Sequence, residues 1–321
     1  MLLAKHNKVV FSAAYGLADL SAQTPITTQT RFNLGSISKT FVANAILLLQ
    51  QQGKLSLDDS LEKYFLDFKN KTIAQKVTVR HLLTHTSGLP DNRQVAADSV
   101  FYLTARDAEN WYPVTQADSL LFEPGSRFEY SNPAFNGLAL IVEQVSGQPW
   151  QQFVEEQIMR PAGMPTSTIT NGPHPATGVA HGYSYVHRMW TEDDYGEEPT
   201  FAAAGNGGVW SSVEELLAYE KALQAGTFLP IEVVQQSRQV QTFANWEDTT
   251  PAFIGWSWFV GRTSDGLTTV GHTGSQGGFL CNYVTVPEKG VVLIMLANFP
   301  FSMTAATNDA MALLQQHQWL D

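Results

Sequence analysis

The sequence predicts an α/β fold: one unit assembled from both ends of the chain, with a mostly helical insertion between them. Three observations predict it. Apolar and polar residues alternate over the first 32 residues and again towards the C-terminus, as in antiparallel strands. Helical spacing dominates the middle of the chain, and a helix apolar on nearly every side follows the first strands. The boundaries drawn are 1–54 with 205–321 for the α/β unit and 55–204 for the insertion.

The elements follow in order. "MLLAKHNKVVFSAAYGLADL" reads as strand, turn at His6-Asn7 and strand, without the basic segment and long apolar run of a signal peptide. The chain as given is therefore expected in the cytoplasm, or in the periplasm if an N-terminal segment is missing. A start inside a hairpin predicts an absent upstream element, an uncovered apolar surface and self-association. In "NLGSISKTFVANAILLLQQQG", residues 33–53, Asn44 is the one polar residue from 41 to 49, so the helix over 36–52 is buried, with Ser36 at its start and Gly53 at its stop. "TVRHLLTHTSGLP" at 78–90 is helix and turn. In 135–163, Leu138, Ile141, Val142 and Val145 form one helix that ends at Gly147, and Phe153, Ile158 and Met159 mark a second. "SSVEELLAYEKALQAG" at 211–226 is a capped helix. "GWSWFVG", "TTVGHTG", "FLCNYVTVP" and "GVVLIMLANF" are antiparallel strands, and "SMTAATNDAMALLQQHQWL" is a terminal amphipathic helix.

Composition removes several classes of function. The chain has 321 residues, 44% of them hydrophobic, and a net charge of −11, which disfavours nucleic acid and anionic membranes as partners. Its longest apolar runs fall short of the ~20 residues a bilayer span needs. A single cysteine, Cys281, forms no intrachain disulfide or cysteine metal cluster and leaves the redox compartment open. The acidic run "TEDDYGEE" at 191–198 reads as a solvated loop. No cofactor or metal is expected: there is no phosphate-loop or dinucleotide fingerprint, and His81 and His85, four apart, lack the glutamate of H-E-x-x-H.

Chemistry enters at Lys39. It lies in the first turn of a buried helix, where desolvation and the positive end of the helix dipole both oppose its charge. Three positions from Ser36, its amine shares a helix face with the hydroxyl, which places a base beside a nucleophile. The residues alone leave a second reading open, in which Lys39 snorkels its ammonium to the surface. Ser60 to Lys63, "SLEK", has the same spacing but sits in an acid-rich, solvent-facing pattern and reads as a decoy.

"SISK" at 36–39, "EYSNP" at 129–133 and "VGHTGSQGGF" at 270–279, in this order, resemble the active-site set of the penicillin-recognising serine hydrolases: S-x-x-K, a Tyr/Asn motif and a variant of K-T-G. The Y-x-N form, with "FNLGSISKTF", "HLLTHTSGLP" and "FEPGSRFEYSN", is similar to the branch of class C β-lactamases, D-alanyl-D-alanine carboxypeptidases, D-aminopeptidases and related esterases. The resemblance covers most of the chain. It implies an antiparallel β-sheet flanked by helices, an inserted all-α domain between two segments of the α/β domain, and an active site between them. Ser36 would be acylated, with Lys39 or Tyr130 as base and Tyr130 relaying the proton to the leaving group. Asn132 would hold Lys39 and contact a substrate amide. The Ser36 and Ser275 amides would bind the oxyanion, with His272, Thr273 and Gly274 lining the substrate site. Alone, Tyr130 reads first as a core tyrosine, and Gly274, Gly277 and Gly278 read equally as a β-turn.

His272 stands where many β-lactamases have lysine. An imidazole is largely neutral at pH 7 and attracts a carboxylate weakly. The implied activity is thus hydrolysis of esters, amides or D-amino-acid peptides through an acyl-enzyme, on a small acyl substrate, ahead of efficient β-lactam hydrolysis. Two alternatives are a true class C-type β-lactamase and a penicillin-binding sensor that is acylated without turnover. An α/β-hydrolase is disfavoured because no G-x-S-x-G elbow occurs. Trp111, Tyr112, Tyr183, Tyr185 and Trp190 suggest an aromatic-lined pocket, and His181 and His187 stand near the cleft in sequence, with core packing an equal reading for each aromatic.

Overall fold

The structure is a computed structural model that describes residues 1–93, 98–172, 174–192 and 201–316. Its main sheet has six strands, each antiparallel to its neighbours, in the spatial order Phe259–Arg262, Thr268–Gln276, Phe279–Val286, Val291–Ala297, Leu2–Lys5, Lys8–Ser12. The two ends of the chain meet inside this sheet, where Leu3 pairs with Leu293. Alternation along these strands feeds two cores. Leu2, Ala4, Val292 and Ile294 face the large cluster that also holds the buried helix, while Leu3, Leu293 and Met295 face the terminal helix Met303–Gln316 through Leu314. Gly277 and Gly278, with φ of 41° and 78°, make the two-residue turn that keeps Thr268–Gln276 and Phe279–Val286 in register.

The helix Ser38–Gln51 is buried on nearly all sides, as its sequence requires. Its start differs from the expectation by two residues. A tight turn of 3-10 helix over Gly35–Ile37 precedes it, and the Ser36 hydroxyl makes no capping bond. Around it pack Asn132–Ser146, capped by Ser131 and stopped by left-handed Gly147, and Val213–Ala225, capped by Ser212 and stopped by Gly226. Residues 55–204 hold helices joined by loops and, among their described residues, three short strands, Thr168–Ile169, Tyr183–Val186 and Met189–Glu192. "GWSWFVG" is extended only from Phe259. Ser257 at φ 68° breaks the run, and Trp256, Ser257 and Trp258 are all buried instead of alternating. Most of the acidic run at 191–198 lies outside the described residues.

A small sheet positions the site. Phe32–Asn33 pairs with Val209–Ser211, which pairs with Thr168–Ile169. The Leu34 amide donates to Val209 O at 2.8 Å, and the Ser38 hydroxyl accepts from the Val209 amide at 3.0 Å. These bonds bring the turn at Ser36 beside the helical turn Ala204–Gly207.

On its other side the Ser36 turn is pressed against the main sheet. A Cβ on Gly274 would lie 1.9 Å from Leu34 O and 3.2 Å from Ser36 N, both backbone atoms that cannot swing away. Gly274→Ala is therefore expected to cost at least ~2 kcal/mol, measured by urea denaturation. A variant with the parent's midpoint would show that the two backbones are not in contact.

Candidate active site

Ser36 stands at the middle of the tight turn. Gly35 before it adopts φ 50°, and its amide donates to Asn33 Oδ1 at 2.8 Å. A Cβ on Gly35 would lie 2.7 Å from Ser275 N, so the absence of a side chain lets the edge strand's amide come alongside. Amides at a helix start have no intrahelical acceptor. The Ser36 and Ser275 N–H groups thus form a pair of backbone donors at the serine, the arrangement that stabilises an oxyanion.

Lys39 is fully buried, with none of its surface exposed. Its Nζ lies 2.9 Å from Ser36 Oγ and donates to the Asn206 carbonyl at 3.0 Å. Desolvation, followed by the Arg93 charge, holds its pKa well below the usual lysine range. A carbonyl oxygen can only accept. The bond to Asn206 therefore uses an N–H and leaves the lone pair of a neutral amine free for the Ser36 proton.

Tyr130 comes from the loop before Asn132–Ser146 and shares a hydrogen bond with Ser36. It keeps 37% of its surface open, yet its hydroxyl end is surrounded by protein, and that desolvation pushes the phenol up to about 12 against the pull of the Ser36 bond. Lys39 Nζ sits 5.1 Å from the Tyr130 ring centre. Beneath the ring lies His85, stacked at 4.4 Å and 28°, whose Nδ1 accepts from the Ser131 amide at 3.0 Å. Burial, with Lys39 nearby, holds His85 well below its ordinary pKa, so a neutral imidazole supports the tyrosine.

A cavity of about 490 Å³ opens at Ser36, bounded by Tyr130, Phe259, His272 to Ser275, Asn282 and, from the terminal helix, Met303 and Thr307. Among the described residues its lining carries no lysine, arginine, aspartate or glutamate. His272 is 3% exposed, and its Nδ1 is 2.6 Å from Thr273 O, an acceptor, so the proton sits on Nδ1. Desolvation, then the nearby lysine, lowers its pKa to about 3. Asn132 is half-buried at the first position of its helix. Lys39 bonds to the Asn206 carbonyl and not to the Asn132 amide, so the bond expected between those two side chains is replaced.

The remaining sequence candidates are placed elsewhere. Lys63 pairs with Asp59 at 2.7 Å and is half exposed. His81 Nδ1 takes the Thr78 amide at 3.1 Å and its ring stacks on Phe243. Trp111 is core, packed on Phe65, and Tyr183 is buried with its hydroxyl accepting from the Leu20 amide. Tyr185 and Trp190 pack against each other at a tilt of 55° on an exposed hairpin, with His187 in its turn, and His181 meets Glu192 at 2.5 Å. None of these lines the Ser36 cavity; its aromatic walls are Tyr130 and Phe259. Sequence reasoning missed Phe259, the support given by His85 and the carbonyl of Asn206. The last has no signature, because a main-chain oxygen is common to every residue type.

Comparison with known proteins places this geometry. A family model described as Beta-lactamase matches residues 1–318. Penicillin-binding protein 4* of Bacillus subtilis (strain 168) is 28% identical over 311 residues, covering 93% of this chain and 67% of that protein. A penicillin-binding protein homologue from Pyrococcus abyssi, described as octameric, superimposes with a TM-score of 0.83 at 26% identity over 98% of this chain and 72% of its own. The penicillin-binding protein from Bacillus halodurans gives 0.82 at 28% identity, over 97% and 94%.

The ionisations fix the sign of a pH effect. Protonating Lys39 removes its lone pair, so acylation of Ser36 should hold at high pH and fall as pH drops through the lowered lysine pKa. With His272 titrating near 3, His272→Gln should change the height of the pH–rate profile and leave the midpoint of its acid limb in place. A limb that vanishes in that variant would transfer the ionisation to the histidine.

Proposed function

The chain belongs to the Beta-lactamase family, and from that premise we propose that it is a serine hydrolase whose nucleophile is Ser36, whose base is Lys39 and whose substrates are esters and amides without a carboxylate beside the scissile bond, D-amino-acid amides among them. The observation that carries the reading is the 2.9 Å approach of a buried, deprotonation-prone amine to a hydroxyl. With the Tyr130 phenol pushed up to about 12 and Lys39 pushed well down, the amine is the member of the pair that gives up its proton more readily, which favours it as the base. It takes the Ser36 proton as Oγ attacks the acyl carbon. The tetrahedral oxygen is held by the Ser36 and Ser275 amides, and Tyr130, bonded to Ser36, passes its proton to the departing oxygen or nitrogen and takes one back from the Lys39 ammonium, which returns the amine to its neutral form. Water then releases the acyl group by the reverse sequence.

The substrate class rests on the cavity. A carboxylate beside the scissile bond would enter a pocket with no cationic side chain and a neutral His272, and would lose its hydration without compensation. Neutral acyl and leaving groups lose nothing of the kind, which ranks esters and amides above β-lactams and peptides with a free C-terminal carboxylate. The same reading keeps 1–54 with 205–321 as one unit and 55–204 as the other, so that Ser36 and Lys39 come from the first and Tyr130 and Asn132 from the second. Among the described residues no helix is long and apolar enough to cross a membrane.

Short p-nitrophenyl esters, D-amino-acid amides and a chromogenic cephalosporin should be tested side by side, with turnover fastest on the first two. A fluorophosphonate adduct should map to Ser36, and Lys39→Met should cut labelling by about 10³-fold or more. An adduct on Ser60, or faster turnover of the cephalosporin, would overturn the assignment; a stable cephalosporin adduct without any turnover of esters or amides would favour the sensor.

Self-association is proposed on separate ground. The outer strand Lys8–Ser12 exposes Val9, Val10 and Phe11, an unpaired edge of apolar residues, and a relative of this fold is described as octameric. Sedimentation velocity should show a species larger than 35.4 kDa that Val10→Lys dissociates; a parent monomer would rule this out.

A further inference from the structure

The Asn206 carbonyl that holds Lys39 belongs to the four-residue turn Ala204–Gly207, too short to fix itself. What holds it is a buried carboxylate two helices away. Asp107, at the first position of Asp107–Thr115, accepts from the Gly205 amide at 2.8 Å and from Asn136 Nδ2 at 2.6 Å through Oδ1, and from Trp150 Nε1 at 2.9 Å through Oδ2. Asn136 Oδ1 in turn accepts from Asn206 Nδ2 at 3.0 Å. The turn is thereby held twice, by the amide of residue 205 and the side chain of residue 206. All three polar residues are buried.

We propose that Asp107, acting through Asn136 and the Gly205 amide, is the positioning residue that aims the Asn206 carbonyl at Lys39 and so keeps the amine on Ser36. The inference rests on the reading of Lys39 as base. A carboxylate is an acceptor only, so every donor in the chain must point towards it. Asn136 has to present its NH₂ to Asp107 and its oxygen to Asn206, and Asn206 has to turn its NH₂ away from Lys39. The carboxylate therefore sets one sense of hydrogen bonding along the path, and an amide at position 107 would not. Among the described residues no cation pairs with Asp107. Burial raises its pKa to about 6 against the pull of its three donors, a cost that an apolar residue at this place would avoid. Gly205 completes the fit: a Cβ there would lie 2.9 Å from Phe135 O and 3.0 Å from Asp107 Oδ1.

The test is single-turnover acylation by a p-nitrophenyl ester, read as the rate constant at saturation and the half-saturating concentration. Neither Asp107 nor Asn136 lines the cavity. Asp107→Asn should lower the rate constant by ~10–100-fold through misplacement of the amine and leave half-saturation within about twofold. Asn206→Ala keeps the carbonyl and the Gly205 and Trp150 bonds and removes only the side-chain link, so it decides the question if Asp107→Asn fails to fold; it should show the same split. A folded variant with the parent's rate constant, or one whose loss lies in half-saturation, overturns the proposal. Absence of a Ser36 adduct in the parent would instead sink the functional reading on which it rests.

Discussion

The organisation of this protein follows from placing an amine where water cannot reach it. A fully buried ammonium costs several kcal/mol even after the protein relaxes around it. Burial therefore pushes the Lys39 pKa well down, and its Nζ is held between the Asn206 carbonyl at 3.0 Å and Ser36 Oγ at 2.9 Å. The helix that carries it is buried on almost every side, and its polar side chains Ser38, Thr40 and Asn44 are buried with it and hydrogen-bonded within the protein. The nearly unbroken run from Phe41 to Leu49 serves this chemistry as well as the core.

A buried base needs neighbours that neither protonate it nor admit solvent. His85 and His272 are both neutral by burial, and Tyr130 is held too high to ionise. The two backbone contacts at Gly35 and Gly274 close the remaining side. The strand bearing His272 and the turn bearing Ser36 approach main chain to main chain, which brings the Ser275 amide alongside the Ser36 turn. Proton transfer and oxyanion binding therefore share one packing constraint.

Much of this was legible in the residues, and the division between what was and was not has a physical cause. Ser36, Lys39, Tyr130 and the His272–Ser275 strand, which the structure brings together, are marked by side chains or glycines that a sequence displays. The helix stops at Gly147 and Gly226 and the turn at Gly277-Gly278 announce themselves by the same route, since only glycine takes those φ values cheaply. The Asn206 carbonyl and the Ser36 and Ser275 amides as a spatial pair carry no such mark, because main-chain groups are identical everywhere. Spacing also misled: His81 and His85, four apart, invite a shared ligand, but one stacks on Phe243 and the other on Tyr130. The run at 255–261 alternates like a strand, yet Ser257 turns it and both tryptophans go inside.

The histidine at position 272 links the base to the choice of substrate. A lysine there would bring a second ammonium close to Lys39, and each would lower the other's pKa while demanding hydration the cavity does not supply. Two such groups coexist when a substrate carboxylate neutralises the outer one. An imidazole that stays neutral removes the need for that partner: the pocket is electrically balanced when empty and when filled by an uncharged acyl group. On the proposed reading, the charge that forms on Lys39 during acylation is matched by the oxyanion, and the Asn206 carbonyl, linked to Asp107, is the acceptor placed beside that ammonium.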